Sequence, residues 1–329
     1  MSTHTGHEGG EGDGHTGPGQ GHGGHGGHGG HSHGHSHGHG HGEEDIDWEA
    51  MAEHLEREGE MRLPFVEEAV AWLRGVLLEG GCGPDTCERL LDVGSGPGVQ
   101  TSVFAHAFPQ AETVAVDGAA SLLERARDRA EREGVAGRVR TLQAQLPDEL
   151  GSLGSADLIW TSNVMHHIGD QQAALDALAG AVRPGGLLAV VERGLAARFL
   201  PRDIGLGRPG LQTRLEAMNE DWFEDEMRAS LPGHTQTVED WPAMLARAGL
   251  TPAGTRSFLI DLPAPLGAPA RKHLYAVLTR SREVLDERLE PEDMLVLDAL
   301  LDEEAPTGIM HRPDAFYLEA VTVHTGRAS

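Results

Sequence analysis

The chain has 329 residues, 39% of them hydrophobic, which is enough for one large α/β domain or two small ones. Its 52 acidic side chains against 26 basic ones give a formal net charge of -26, a surface that repels phosphate backbones and anionic lipid within a Debye length of about 8 Å. Nucleic acid and membrane are thereby disfavoured as partners. Two cysteines, Cys82 and Cys87, are too few for a disulfide framework and fit a reducing compartment. With no secretory pattern and no apolar run near the roughly 20 residues of a membrane helix, a cytoplasmic protein is expected.

Residues 1–42 are of low complexity, and from His22 to His41 imidazoles alternate with Gly or Ser. Nothing there can form a core, so a disordered tail is predicted over residues 1–45, with an ordered domain over 46–329. Neutral imidazoles at such spacing can wrap a divalent metal ion. An acidic amphipathic stretch from Trp48 to Glu60 leads into Leu63–Leu78. There Phe65, Val66, Ala69, Trp72, Leu73, Val76 and Leu77 recur at helical spacing.

Beyond Leu78 strands and helices alternate. Strands are predicted at Leu90–Val93, Thr113–Val116, Val139–Leu142, Leu158–Thr161 and Leu187–Glu192. Helices are predicted at Gln100–Ala107, Ala119–Glu133 and Gln171–Val182. This pattern implies a parallel sheet with right-handed crossovers. Two insertions, 194–236 and 263–313, interrupt the C-terminal part of the chain. Between them come a helix at Val238–Ala248 and a sixth strand at Thr255–Leu262. Helices Ala270–Leu289 and Pro291–Leu301 are expected in the second insertion, and Ala315–Thr325 reads as a final strand. In that strand apolar Phe316, Leu318 and Ala320 alternate with Tyr317 and Glu319, as in an edge or antiparallel strand.

The first strand ends in Asp92-Val93-Gly94-Ser95-Gly96-Pro97-Gly98, where glycines let the backbone approach a ligand and the next helix offers free N–H groups. The dinucleotide fingerprint would put its third glycine at position 99, which is Val99, so a nicotinamide enzyme is disfavoured. The second strand ends in Asp117, where a carboxylate can accept both hydroxyls of a ribose.

The run of glycines at 94, 96 and 98, with an acid two residues earlier, resembles the first motif of class I S-adenosylmethionine-dependent methyltransferases of the small-molecule type. The resemblance extends from Leu90 to Gly194 and includes Ala156–Ile168 and Val182–Glu192. It implies an α/β, Rossmann-like, seven-stranded and mostly parallel sheet with helices on both faces and the last strand antiparallel. It also implies S-adenosyl-L-methionine as cofactor and a small-molecule acceptor. The cofactor-binding candidates are Asp92, Gly94, Ser95, Gly96, Gly98, Asp117, Gly118, Gln145, Leu146 and Asn163. Gln145 stands where the family often carries an aspartate for the adenine amine; its amide oxygen can still accept.

His166 and His167 are the candidate catalytic bases, with a structural role under the following helix as the alternative. Glu192 is expected to be solvated. Trp222, Phe223 and Trp241 either wall a pocket or anchor an insertion. Arg198, Arg202, Arg208 and Arg214 either hold an acidic group or are solvated. No metal site is assigned within the domain, because the cysteine pair has no second cluster. A competing reading makes the chain a metal buffer acting through its tail on an inactive scaffold. Oligomeric state is left open by the sequence.

Overall fold

The structure, a computed structural model, describes residues 48–192 and 194–329; the predicted tail over 1–45 lies outside the described residues. The chain opens with α1 (Trp48–Met61) and α2 (Leu63–Glu79), then alternates through β1 (Arg89–Val93), α3 (Val99–Ala107), β2 (Glu112–Asp117), α4 (Ala120–Arg132), β3 (Val139–Gln143), β4 (Ala156–Ser162), α5 (Gln171–Ala181) and β5 (Val182–Val191). After it come β6 (Leu195–Arg198), α6 (Leu211–Trp222), α7 (Trp241–Arg247), β7 (Thr251–Leu262), α8 (Ala268–Val284), α9 (Pro291–Leu301) and β8 (Tyr317–Arg327). Local chemistry sets several of these starts. The Asp170 carboxylate caps α5 by accepting from the Ala173 N–H at 2.9 Å, and Asp240 does the same for α7 through Ala243 at 3.1 Å. Proline opens α2, α7, α8 and α9, where a missing N–H costs nothing.

The sheet runs β3-β2-β1-β4-β5-β8. Strands β1 to β5 pair in parallel, and β8 is antiparallel to β5, β6 and β7. Along one edge of β8, β5 pairs with residues 323–327 and β6 with 318–320, while β7 lies along the whole of the other edge. The expected seven strands are therefore present as positions. The eighth segment, β6, pairs along the same edge of β8 as β5. Only the last strand runs against the rest, so the sheet is Rossmann-like, and the chain reverses its direction of travel between β1 and β4. In such sheets ligands bind at the carboxyl ends of the strands, beside that reversal.

Both faces are covered. Leu90, Leu158, Trp160, Leu187, Ala189 and Val191 enter one core with α2, α6, α8 and α9. Leu91, Val93, Ile159, Leu188 and Val190 alternate into a second core with α5 and α7. Trp160 is fully buried against Phe104 and Phe65, and its indole N–H donates to the Gln100 amide oxygen.

Three expectations need correction. In β8, Tyr317 is buried at 2% exposure and Leu318 is exposed at 38%, the reverse of the predicted phase, although the strand is antiparallel as one of the two expected alternatives had it. The tyrosine hydroxyl turns inward because it donates to Glu319 at 2.9 Å, and Glu319 is held in turn by Arg62 at 2.8 Å. Cys82 and Cys87, expected to be reduced, form a disulfide with Cα atoms 5.6 Å apart. The loop after α2 folds back to bring them together, with the Cys82 N–H on the Leu77 carbonyl and the Cys87 N–H on the Gly83 carbonyl. Glu192, expected in solvent, is 2% exposed. Among the described residues, no helix is long and apolar enough to cross a membrane.

Candidate functional site at the carboxyl ends of the parallel strands

The turn after β1 is shaped by its glycines. Gly94, Gly96 and Gly98 all have positive φ, at 71°, 54° and 77°, a region that other residues enter at a cost of about 1–3 kcal/mol. A Cβ on Gly94 would lie 2.2 Å from Cγ2 of Val164, and one on Gly98 would lie 2.6 Å from Cβ of Ala126. These two glycines let the turn sit tightly against the end of β4 and against α4. At Gly96 a Cβ would meet nothing within 4 Å, so this side of the turn is open.

Main-chain bonds fix the turn to β2. The N–H groups of Gly94 and Ser95 both donate to the Val116 carbonyl, at 2.8 and 3.0 Å. Asp117 then staples the two strand ends. One carboxylate oxygen accepts from the Gly96 N–H and the other from the Ala119 N–H, each at 2.9 Å. Burial pushes the Asp117 carboxyl up, and the bonds from Ala119 and Gly96 offset only part of that. Asp92, 2% exposed, accepts from the Thr101 hydroxyl at 2.6 Å. Burial pushes its carboxyl up to about 7 despite that bond, and the nearby Asp117 adds to the rise. The hydroxyl oxygen of Ser95 is buried with no hydrogen-bond partner.

The neighbouring strand ends complete the edge. Gly118 presents its carbonyl to the side-chain amides of Gln143 at 2.9 Å and Gln145 at 3.4 Å. The Gln145 N–H donates to Glu149 at 2.6 Å, so the exposed Gln145 is anchored through its own backbone. Leu146 is half-buried against the second core. Asn163, exposed at the tip of β4, has φ of 56°, the one positive φ outside glycine among the described residues, and its N–H bonds the Val191 carbonyl.

Immediately beyond lies a buried carboxylate that periodicity does not reveal. One oxygen of Glu192 accepts the N–H groups of Val164 and Met165, at 2.8 and 2.6 Å. The other lies 2.8 Å from Nδ1 of His166. With a carboxylate as its partner, Nδ1 is the donor, which leaves Nε2 as an acceptor. The His166 ring stacks at a tilt on His167, with centroids 4.1 Å apart, and meets Phe223 edge-on at 5.7 Å. Arg228, 5% exposed, donates to the His166 and Ile168 carbonyls and fastens this turn to the first insertion. The predicted site residues therefore share one edge of the sheet. Thr101 and Glu192, which hold two of them, carry no sequence signal as partners.

Residues 91–188 match the family described as a methyltransferase domain. That span is under a third of the chain. An uncharacterized protein of Synechococcus is 42% identical over 30% of this chain and 24% of its own length. The trans-aconitate 2-methyltransferase of Azoarcus is 33% identical over 32% of this chain and 39% of its own. The chain thus spans well under half of the length of these relatives. Among solved structures, a SAM-dependent methyltransferase of Geobacter sulfurreducens in complex with S-adenosylhomocysteine is 18% identical, with a TM-score of 0.42 over 80% of this chain and 91% of that one.

Outside the matched span, the arginines of the first insertion do structural work. Arg208 and Arg214 both bind the buried Asp293 of α9, at 3.0 and 2.6 Å, and Arg198 pairs with Glu216 at 3.0 Å. Arg202 is exposed. Trp241 is 5% exposed in the second core, an anchor, and Trp222 is half-buried with Arg280 over its ring. Helix α1 closes over the glycine turn from outside. A Cβ on Gly59 would lie 2.9 Å from Val99, Glu60 binds Arg129 of α4 at 2.7 Å, and Glu56 binds Arg125 at 3.4 Å. Surface clefts of about 470 and 450 Å3 occur elsewhere; the turn glycines, Asp117 and His166 line neither.

Proposed function

We propose that the chain transfers a methyl group from S-adenosyl-L-methionine to an oxygen or nitrogen nucleophile of a small-molecule acceptor by in-line displacement. The observation that carries this reading is the joined pair of strand ends: an open glycine turn after β1, fastened by Asp117 to the end of β2. The residues present suit such a cofactor. The unpartnered Ser95 hydroxyl and the free lone pairs of Asp117 are donors and acceptors of the kind an amino acid and a ribose need. Gly94, Ser95, Gly96 and Gly98 would hold the amino-acid end, Asp117 the ribose, and Gly118, Gln145 and Leu146 the adenine. Asp92 supports the turn from below through Thr101, and Asn163 borders the same edge.

When bound, the cofactor supplies an electrophilic sulfonium methyl. The protein's part is then alignment and exclusion of water. Helix α1 and the insertions 194–236 and 263–313 would form the lid and the acceptor pocket. An acceptor that must lose a proton would give it to Nε2 of His166, with Glu192 fixing the ring and stabilising the imidazolium. His167, stacked on His166, would support that ring or serve as the base itself. The named substrate of the trans-aconitate relatives is an acid. Arg198, Arg208 and Arg214 are engaged by Glu216 and Asp293, so of the four candidate cations for such an acceptor these three are already paired and Arg202 is exposed.

Calorimetric titration of S-adenosylhomocysteine into the full chain tests the reading, with Asp117→Ala and the milder Gln145→Ala as matched chains. Micromolar binding is expected, abolished in the first variant and weakened a few-fold in the second. Absence of binding to folded protein would overturn it.

A further inference from the structure

A second cluster lies between α1, α8 and β8. His54 and His273 stack face to face, with centroids 5.0 Å apart and planes 5° from parallel, and Glu58 lies one turn along α1 from His54. Potential ligand atoms of His54, Glu58 and His273 all come within 4.8 Å of one another. Among the described residues this is the one such group of three. His273 is 4% exposed, and Nδ1 of both rings is buried without a hydrogen-bond partner. A buried imidazole nitrogen left unpartnered costs about 1–3 kcal/mol unless something fills the gap. Two unpartnered imidazole nitrogens in a cluster that also holds a carboxylate call for a shared occupant.

We propose that His54, Glu58 and His273 form a binding site for a divalent transition-metal ion that fastens α1 to α8. Two imidazoles and one carboxylate are a donor set for zinc, cobalt, nickel or iron, and not for magnesium or calcium, which prefer oxygen.

The surroundings orient the acid. One Glu58 oxygen binds Arg62 at 2.7 Å while the other faces Nε2 of His54 at 3.8 Å, and Arg62 is itself held by Glu319. Such outer partners commonly aim a ligand at its metal. Ligand bonds of about 2.0–2.2 Å require the side chains to draw together and the His54 ring to turn out of its parallel stack, so that both in-plane lone pairs meet at one point; the partly exposed His54 and Glu58 have room to do so beside the buried His273.

Thermal unfolding of the full chain with zinc and after chelation tests the proposal, with magnesium as the control ion. The histidine-rich segment is present in every chain compared, so its contribution cancels between variants. Zinc bound to a site made by the fold raises the wild-type melting temperature, by about 5 °C at a hundredfold excess over Kd. The double variant His54→Gln/His273→Gln should lose that rise. Bound cobalt should show the d–d absorption of a low-coordinate nitrogen and oxygen site in wild type and not in the variant. No zinc rise in wild type, or an equal rise in the double variant, overturns the proposal. Should the double variant fail to fold, His54→Gln alone, at the partly exposed ring, decides by the same comparison.

Discussion

The stretch from β1 to β5 and the cap made by α1, α6, α8 and α9 are held by different forces. In the first, the central strands are buried on both faces and the polar contacts that shape the glycine turn are short in sequence. Thr101 reaches Asp92 across nine residues, and Asp117 reaches Gly96 across 21. In the cap, side-chain pairs join distant segments: Arg62 to Glu319 over 257 residues, Arg208 to Asp293 over 85 and Arg214 to Asp293 over 79. A short-range, backbone-made site is rigid before any ligand arrives. A cap made of separate ion pairs can shift one pair at a time, which suits its proposed role as lid and acceptor pocket.

Glu192 is where this contrast can be broken most sharply, because the strand half depends there on a buried carboxylate. Glu192→Ala leaves two backbone N–H groups and the His166 nitrogen unsatisfied at a buried position, and should cost about 3–5 kcal/mol in urea unfolding. Glu192→Gln keeps an oxygen for the N–H pair and should cost less than half of that. Equal losses in the two variants would show that the charge, not the acceptor geometry, holds the turn.

Next in size comes Gly98→Ala. It combines a positive φ with a Cβ 2.6 Å from Ala126, so a loss of about 2–3 kcal/mol should accompany a loss of S-adenosylhomocysteine binding of tenfold or more. Asp293→Asn is the matching change in the cap. It halves the acceptors available to Arg208 and Arg214 and should cost about 1–3 kcal/mol, with cofactor affinity unchanged within about twofold. A large affinity loss in Asp293→Asn would tie the cap to the cofactor site and erase the distinction.

The same contrast decides what can be read in the sequence. Apolar periodicity locates every strand but β6 to within a few residues, and the glycines with Asp92 and Asp117 mark the edge proposed to hold the ligand, because those signals are local. The phase of β8 escapes periodicity because Tyr317 is turned inward by Glu319 and by Arg62, a residue 255 positions away that belongs to neither strand nor motif. A one-residue slip in phase reverses every side chain of a strand, so such a partner outweighs hydropathy. Glu192 looks like a solvated strand end, since nothing nearby announces that the turn after β4 will present two free N–H groups to it. Arg208 and Arg214 of the first insertion look available for a ligand because Asp293, their shared partner, belongs to the other insertion. The triad of His54, Glu58 and His273 is equally hidden, being assembled from helices more than 200 residues apart.

The smallest expected effect is a pH dependence, and it separates a strained group from a stabilising one inside the rigid half. Asp92 has its folded pKa raised to about 7 by burial, well above that of an unfolded aspartate near 4. The folded chain therefore holds its proton more tightly than the unfolded chain between those values. This group's contribution to stability falls as pH rises from about 4 through about 7 and is constant above that. Asp92→Asn keeps an oxygen for Thr101 and has nothing to titrate. The stability of wild type minus that of the variant should thus decline by about 1 kcal/mol between pH 6 and pH 8, measured by urea unfolding at each pH. A difference that rises with pH would mean that Thr101 and the turn stabilise the ionised carboxylate more than burial penalises it.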